Sequence, residues 1–305
     1  MRVGSRAETI LTHEFAHSRL GAITLWMTGC KVGESPQWHA GEQALYWIDV
    51  RAPQLLRLQP QTHALTRWEL PDVVGAMGFW GARKLVLAMR HTLAQMDLET
   101  GHLSELASVE QAVSHNRLND AKVSPSGRWF VFGSMDDRPE KQPTGALYRA
   151  DTSGAVVQLT DGLTVANGIA WNLAGTVLYF SDSFTSQLFC APWNEARGEM
   201  GAPTLLRAFT EATGRPDGGV VDLNDHYWSA GVSAGRINCL DAGGKLLDSF
   251  ALPCRAPTMC AFGGADLATM YVTSLVRPQW ESLASADGAL MSFHSPAPGS
   301  APAVL

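Results

Sequence analysis

Short runs of aromatic, β-branched and aliphatic residues recur along this chain, each bounded by turn-forming residues. Leu45-Tyr46-Trp47-Ile48-Asp49, Lys84-Leu85-Val86-Leu87-Ala88 and Trp129-Phe130-Val131-Phe132 open the series. Leu178-Tyr179-Phe180-Ser181-Asp182, His226-Tyr227-Trp228-Ser229-Ala230 and Met270-Tyr271-Val272-Thr273-Ser274 complete it. With Tyr46, Val86, Phe130, Tyr179, Tyr227 and Tyr271 as markers, the separations are 40, 44, 49, 48 and 44 residues. That period belongs to four-stranded propeller blades. Further strand-like runs follow several markers, as in Gln54–Leu58, Ala146–Ala150 and Gln187–Cys190, and turn signals separate the runs: Pro125-Ser126-Gly127, Leu173-Ala174-Gly175, Asn224-Asp225 and Ala242-Gly243-Gly244. No convincing amphipathic helix follows residue 22, and the one helix-like stretch lies at about residues 7–20. The pattern predicts an all-β fold: a six-bladed β-propeller of four-stranded antiparallel blades over residues 23–305. Residues 1–22 read as a short N-terminal extension, helical or disordered. A pair of β-sandwiches or a parallel α/β fold fits the period poorly.

Composition narrows the function classes. Charged residues make up 17% of the chain, against about 25% in ordinary soluble domains, while 46% hydrophobic content excludes disorder. A net charge of −6 argues against a nucleic-acid partner, which requires a basic face. No apolar run approaches the length of a membrane span. The five cysteines, at 30, 190, 239, 254 and 260, are odd in number and lack any CxxC spacing. They read as small buried hydrophobes of a reducing, cytoplasmic compartment. Oligomeric state is not legible.

The polar residues that share a register across blades carry the chemistry. Glu34, Asn119, Asn167 and Asp217 lie 12, 11, 12 and 10 residues before their markers. The innermost strand of each blade lines the channel, so a common register points four oxygen-bearing side chains at one axis. Two carboxylates and two amides form a hard-oxygen set suited to a divalent cation. Without a cation, Glu34 and Asp217 repel one another in a low-dielectric channel.

The surrounding segments, Gly33-Glu34-Ser35-Pro36, Asn116-Arg117-Leu118-Asn119-Asp120, Ala166-Asn167-Gly168-Ile169-Ala170-Trp171 and Arg215-Pro216-Asp217-Gly218-Gly219, extend the argument. Together with Gly263-Gly264 and Tyr271-Val272-Thr273-Ser274, they resemble the senescence-marker-protein (regucalcin) / gluconolactonase / luciferin-regenerating-enzyme family of six-bladed propellers, from about residue 30 to residue 293. The resemblance implies that Glu34, Asn167 and Asp217 ligate one divalent metal ion: calcium, zinc, iron, manganese or magnesium. It implies that Asn119 reaches the metal through water or substrate, and that Arg117 binds substrate hydroxyls or lactone oxygens. The chain departs from the family pattern at Ala121 (usually Gly), at Ser124 (usually Asp), at Asp136-Asp137-Arg138 and at Met259-Cys260. These changes spare the metal triad; those near Asp137 and Arg138 bear on substrate identity.

The expected reaction is hydrolysis of a small sugar lactone, such as glucono-, xylono-, arabinono- or galactonolactone. The metal polarises the carbonyl, Asp217 acts as general base, and Arg117 and Asn119 orient the polyol. A non-catalytic calcium-binding propeller or an interaction scaffold is the alternative. His13-Glu14-Phe15-Ala16-His17 matches HExxH, but the extended zincin pattern wants Gly where Leu20 stands, and the following sequence turns to strands. No GxSxG elbow, GxGxxG or P-loop occurs. Trp38, Trp47, Trp171 and Trp228 read as packing between blades, and Asp49 and Asp182 as structural hydrogen-bonding residues. Met27 offers an alternative start.

Overall fold

The computed structural model describes residues Met1–Leu305 and contains strands, turns and no helix. It therefore has no helix long and apolar enough to cross a membrane. Six antiparallel sheets surround one axis, and each of the six markers lies on the second strand of its blade. The inner strands of blades 1 to 6 are Gly33–His39, Val74–Trp80, Asn116–Val123, Ala166–Trp171, Pro216–Val221 and Pro257–Gly263. The sequence turns fall where left-handed backbone is required: Gly127, Gly175, Asp225 and Gly244 all have positive φ.

The segment read as a helical extension is three strands. Gly21–Trp26 pairs with Leu290–His294 and supplies the fourth strand of blade 6, so the two ends of the chain close the ring within one sheet. Thr12–His17 adds a fifth strand outside it, and Ser5–Thr9 adds a fifth strand to blade 1 against Ala64–Glu69. Thr12–His17 shows no buried face, so it lacks the alternation that marks a strand in sequence. In this extended segment His13 and His17 cannot make the one-turn pair that a helical HExxH provides. His17 instead accepts the backbone N–H groups of Arg19 and Leu20.

The core lies within and between the blades. Trp38 on blade 1 stacks on Tyr271 on blade 6, with ring centroids 5.7 Å apart; Trp228 stacks on Phe250 within blade 5. Trp38, Trp47, Tyr46 and Tyr227 are among the largest fully buried side chains. Truncating one such aromatic costs about 3–5 kcal/mol. Asp49 accepts four backbone N–H groups, from Lys31, Val32, Arg51 and Ala52, and Asp182 accepts three, from Thr164, Val165 and Phe184. Their structural role is borne out. All five cysteines are free thiols, and four are buried.

The C-terminal residues cross one end of the channel. Asp222 bridges to Gly299, Val304 pairs with Phe79 and the Leu305 carbonyl accepts the Gly81 amide. A cavity of about 320 Å³ lies above this crossing, lined by Trp38, Trp171, Phe262 and residues Ser300–Ala303, with Lys122 as its only charged side chain.

Candidate functional site

The other end of the channel holds the residues singled out by register. Each inner strand shifts register with its neighbour near its N-terminal end. The shifts fall at Glu34/Gln37, Val74/Ala76, Leu118/Ala121, Asn167/Ala170, Pro216/Gly219 and Pro257/Cys260. A bulge inserts an extra residue, bends the strand and re-aims a side chain. Glu34, Asn119, Asn167 and Asp217 all sit at these bulges. The local sequence permits it: Gly168 follows Asn167 with φ +65°, and a Cβ there would lie 2.5 Å from the Tyr227 hydroxyl. Tyr227 donates that hydroxyl to the Gly168 carbonyl at 2.7 Å, tying blade 5 to blade 4 beside the site.

The amides form a chain. Arg117 Nη1 donates to Asn119 Oδ1 at 2.7 Å, and Asn119 Nδ2 donates to Asn167 Oδ1 at 2.8 Å. Asn167 Nδ2 then donates to Ser183 Oγ at 2.8 Å, and Ser183 Oγ to the Pro216 carbonyl. Asn119 thus turns its oxygen toward Arg117 and its amino group toward Asn167. Asn167 keeps one lone pair of Oδ1 for another partner.

Glu34 and Asp217 lie within electrostatic reach of one another. Burial comes first in pushing both carboxyls above the ordinary range. The negative charge of Asp217 adds to the shift of Glu34, and that of Asp120 raises both; Arg117 opposes it. Neither carboxylate has an ion pair, because Arg117 is committed to Asp137 at 3.2 Å. The half-buried Glu34 and the buried Asp217, neither of them in an ion pair, together with an amide oxygen that has a free lone pair, fit a hard divalent ion.

Several residues of the site escaped the sequence reading. Asp120 is buried with Oδ1 unpartnered, while its Oδ2 accepts the Ile169 amide at 3.0 Å. Lys122 makes no ion pair and donates Nζ to the Gly219 carbonyl at 2.6 Å. Asp137 gathers Arg51, Arg90 and Arg117. The available signal was positional: inner strands begin where second strands end, as in Gly33 opposite Asp49 and Asn116 opposite Asp136. Loops that follow second strands therefore rim the same mouth. Arg51, Arg90, Asp137 and Arg277 lie in those loops.

A separate group, Asp222, His226 and Cys239, brings three donor atoms within 4.8 Å of one another. Asp222 follows the far end of the blade 5 inner strand, and its oxygens accept the Asn224 and His226 amides and the Trp228 indole N–H. It holds a turn.

A profile described as SMP-30/Gluconolactonase/LRE-like region matches residues 32–276. The chain belongs to this family. The 6-deoxy-6-sulfogluconolactonase of Pseudomonas putida is 36% identical over 245 residues, covering 80% of this chain and 83% of its own. The pentonolactonase XacC of Haloferax volcanii is 31% identical over 247 residues, covering 81% and 82%. A calcium-binding protein, regucalcin, from Agrobacterium tumefaciens superimposes with a TM-score of 0.86 at 24% identity, over 91% of this chain and 94% of that one. The family match spans the bulges of all six inner strands; the three N-terminal strands and the C-terminal crossing lie outside it.

Proposed function

We propose that the protein opens sugar aldonolactones using one divalent metal ion held by Glu34, Asn167 and Asp217. The class of reaction, hydrolysis of a cyclic carboxylic ester, follows from family membership together with the two lactonase relatives. The observation that carries the finer reading is the pair of carboxylates, Glu34 and Asp217, that make no ion pair and are both raised by burial, beside Asn167 Oδ1. Calcium binding in the regucalcin relative supports a divalent ion.

When bound, the ion supplies Lewis-acid polarisation of the lactone carbonyl. The chain's own groups do the rest. Asp217 accepts a proton from the attacking water, a task for a carboxylate beside the reacting centre. Asn119 holds Asn167 in the orientation that keeps its oxygen on the site. Arg117 uses Nε and Nη1 on Asp137, Leu118 and Asn119, which leaves Nη2 for substrate hydroxyls or the developing oxyanion. Hydrolysis proceeds without a covalent intermediate on the protein.

Proton release from glucono-, xylono-, arabinono- and galactonolactone, with and without chelator, tests this reading. Activity is expected to vanish with chelator, to return with one of calcium, zinc, iron, manganese or magnesium, and to be absent in a folded Asp217→Ala variant. Full activity in that variant, or in chelator, sinks the assignment. Bound metal with no hydrolysis of any lactone establishes the non-catalytic calcium-binding propeller instead.

A further inference from the structure

Three guanidinium groups from three blades meet one carboxylate at the mouth of the site. Arg51 from blade 1 makes a two-pronged contact with Asp137, with Nη1 at 3.2 Å from Oδ2 and Nη2 on Oδ1. Arg117 Nε lies 3.2 Å from Oδ1, and Arg90 Nη1 from blade 2 lies 3.6 Å from Oδ2. Lys141 completes the group, with Nζ on the Asp136 carbonyl at 2.6 Å. The only other carboxylate engaged is Asp72, at 3.4 Å from Arg90 Nε. Arg138 is taken up by the buried Asp136, so that pair adds no net charge.

Four cations against two carboxylates leave a surplus of two positive charges. This occurs in a chain with net charge −6 and only 23 lysines and arginines. Stability alone does not call for such a surplus: one arginine satisfies one carboxylate, and each further guanidinium adds like-charge repulsion. Indeed Arg51 lies close enough to help depress the Arg117 pKa, after burial, while Asp137 opposes both. Asp137 instead acts as a common anchor that holds three planar forks in place, with donors left over. Arg51 Nε and Arg117 Nη2 have no protein acceptor.

Distance from the reacting centre is short. Two side-chain hydrogen bonds, Arg117 to Asn119 and Asn119 to Asn167, link the cationic cluster to the proposed metal ligand.

We propose that the Arg51, Arg90 and Arg117 cluster, with Lys141, is an anion subsite, and that the favoured substrate is an aldonolactone carrying a negatively charged group away from the ring carbonyl. Sulfonate, phosphate and carboxylate share the oxyanion chemistry that guanidinium forks recognise. This inference rests on the lactonase reading and extends it to substrate class.

The test compares kcat/KM for neutral glucono-lactone with that for lactones bearing a 6-sulfonate, a 6-phosphate or a 6-carboxylate. At least one anionic lactone is expected to exceed the neutral one by about ten- to a hundredfold, the range of one or two charge-assisted hydrogen bonds. The three arms identify which anion fits. In an Arg51→Gln, Arg90→Gln double variant that preference collapses through KM, while neutral-lactone turnover stays within about twofold of wild type. Equal or better hydrolysis of the neutral lactone overturns the anion subsite and leaves the lactonase reading intact. So does equal loss on all substrates in the double variant. If no lactone is hydrolysed, the lactonase reading fails, and calorimetry with gluconate 6-phosphate decides the subsite separately. Heat from wild type but not from the double variant upholds it, and no heat from wild type overturns it.

Discussion

Asn119 donates from Nδ2 to Oδ1 of Asn167 at 2.8 Å, so the amide of blade 3 sets the orientation of the amide of blade 4. Ser183 holds the other end of Asn167, and the side chain has no freedom to flip. Asn119 therefore bears on the proposed metal site through Asn167, while its oxygen accepts from Arg117.

An Asn119→Ala variant is expected to keep its fold and lose about 10–100-fold in metal affinity, the usual cost of removing a partner that orients a ligand. Titration with calcium and manganese, followed by calorimetry, checks it. Unchanged affinity would show that Asn167 needs no such support.

Gly75 on blade 2 lies against the backbone of Asn119. A Cβ there would come within 2.3 Å of the Leu118 carbonyl and 2.6 Å of the Asn119 carbonyl. Backbone cannot yield as a side chain does, so Gly75→Ala is expected to destabilise the fold by about 2–3 kcal/mol. Metal affinity is expected to fall as well, because blade 3 must move away from blade 2. Urea unfolding measures the first effect, and an unshifted midpoint contradicts the close packing.

The N-terminal strands carry stability. Ile23 is fully buried, and its strand closes blade 6. Ile23→Ala is expected to cost about 3 kcal/mol. A chain begun at Met27 lacks the fourth strand of that blade and exposes the edge of Leu290–His294, and is expected to be recovered as aggregate. A folded, monodisperse protein from that start contradicts the closure.

Asp136 gives a pH signature. Hydrogen bonds from Arg138, chiefly, and from backbone amides hold its carboxyl well below the usual carboxylate range. The folded-state pKa is thus lower than the unfolded value of about 3.9. Its contribution to stability is complete above that value and is lost as pH falls through it toward the folded pKa. Asp136→Asn is expected to cost about 2 kcal/mol at pH 7, with the gap from wild type narrowing at pH 3. Parallel unfolding curves at both pH values contradict this.

The propeller and its channel register were legible because they repeat. Six second strands with buried apolar residues impose a period, and Glu34, Asn119, Asn167 and Asp217 stand at fixed offsets from it. What the repeat does not carry was hidden. Thr12–His17 pairs only with Gly21–Trp26, at the exposed outer edge of its sheet, so burial leaves no mark on its pattern. The direction of the Asn119 amide depends on Arg117 and Asn167 together, and spacing cannot distinguish its oxygen from its nitrogen. Arg51 and Arg90 belong to different blades, and only closure of the ring brings them to Asp137.

Ring closure by Gly21–Trp26 also orders events in time. Trp26 donates its indole N–H to Ser292, 266 residues later in the chain. During synthesis Gly21–Trp26 emerges early, and its inner neighbour Leu290–His294 does not exist until the last blade has been made. Five blades can assemble on the ribosome, while the segment holding the buried Ile23 and Leu25 must wait in solution. Completion of the ring is then a single late, long-range step with the entropic cost of bringing distant chain ends together. The newborn protein is most exposed to misassembly in that interval, and its opening sequence, charged and histidine-rich on the outermost strand, suits a segment that must remain unpaired in water until then.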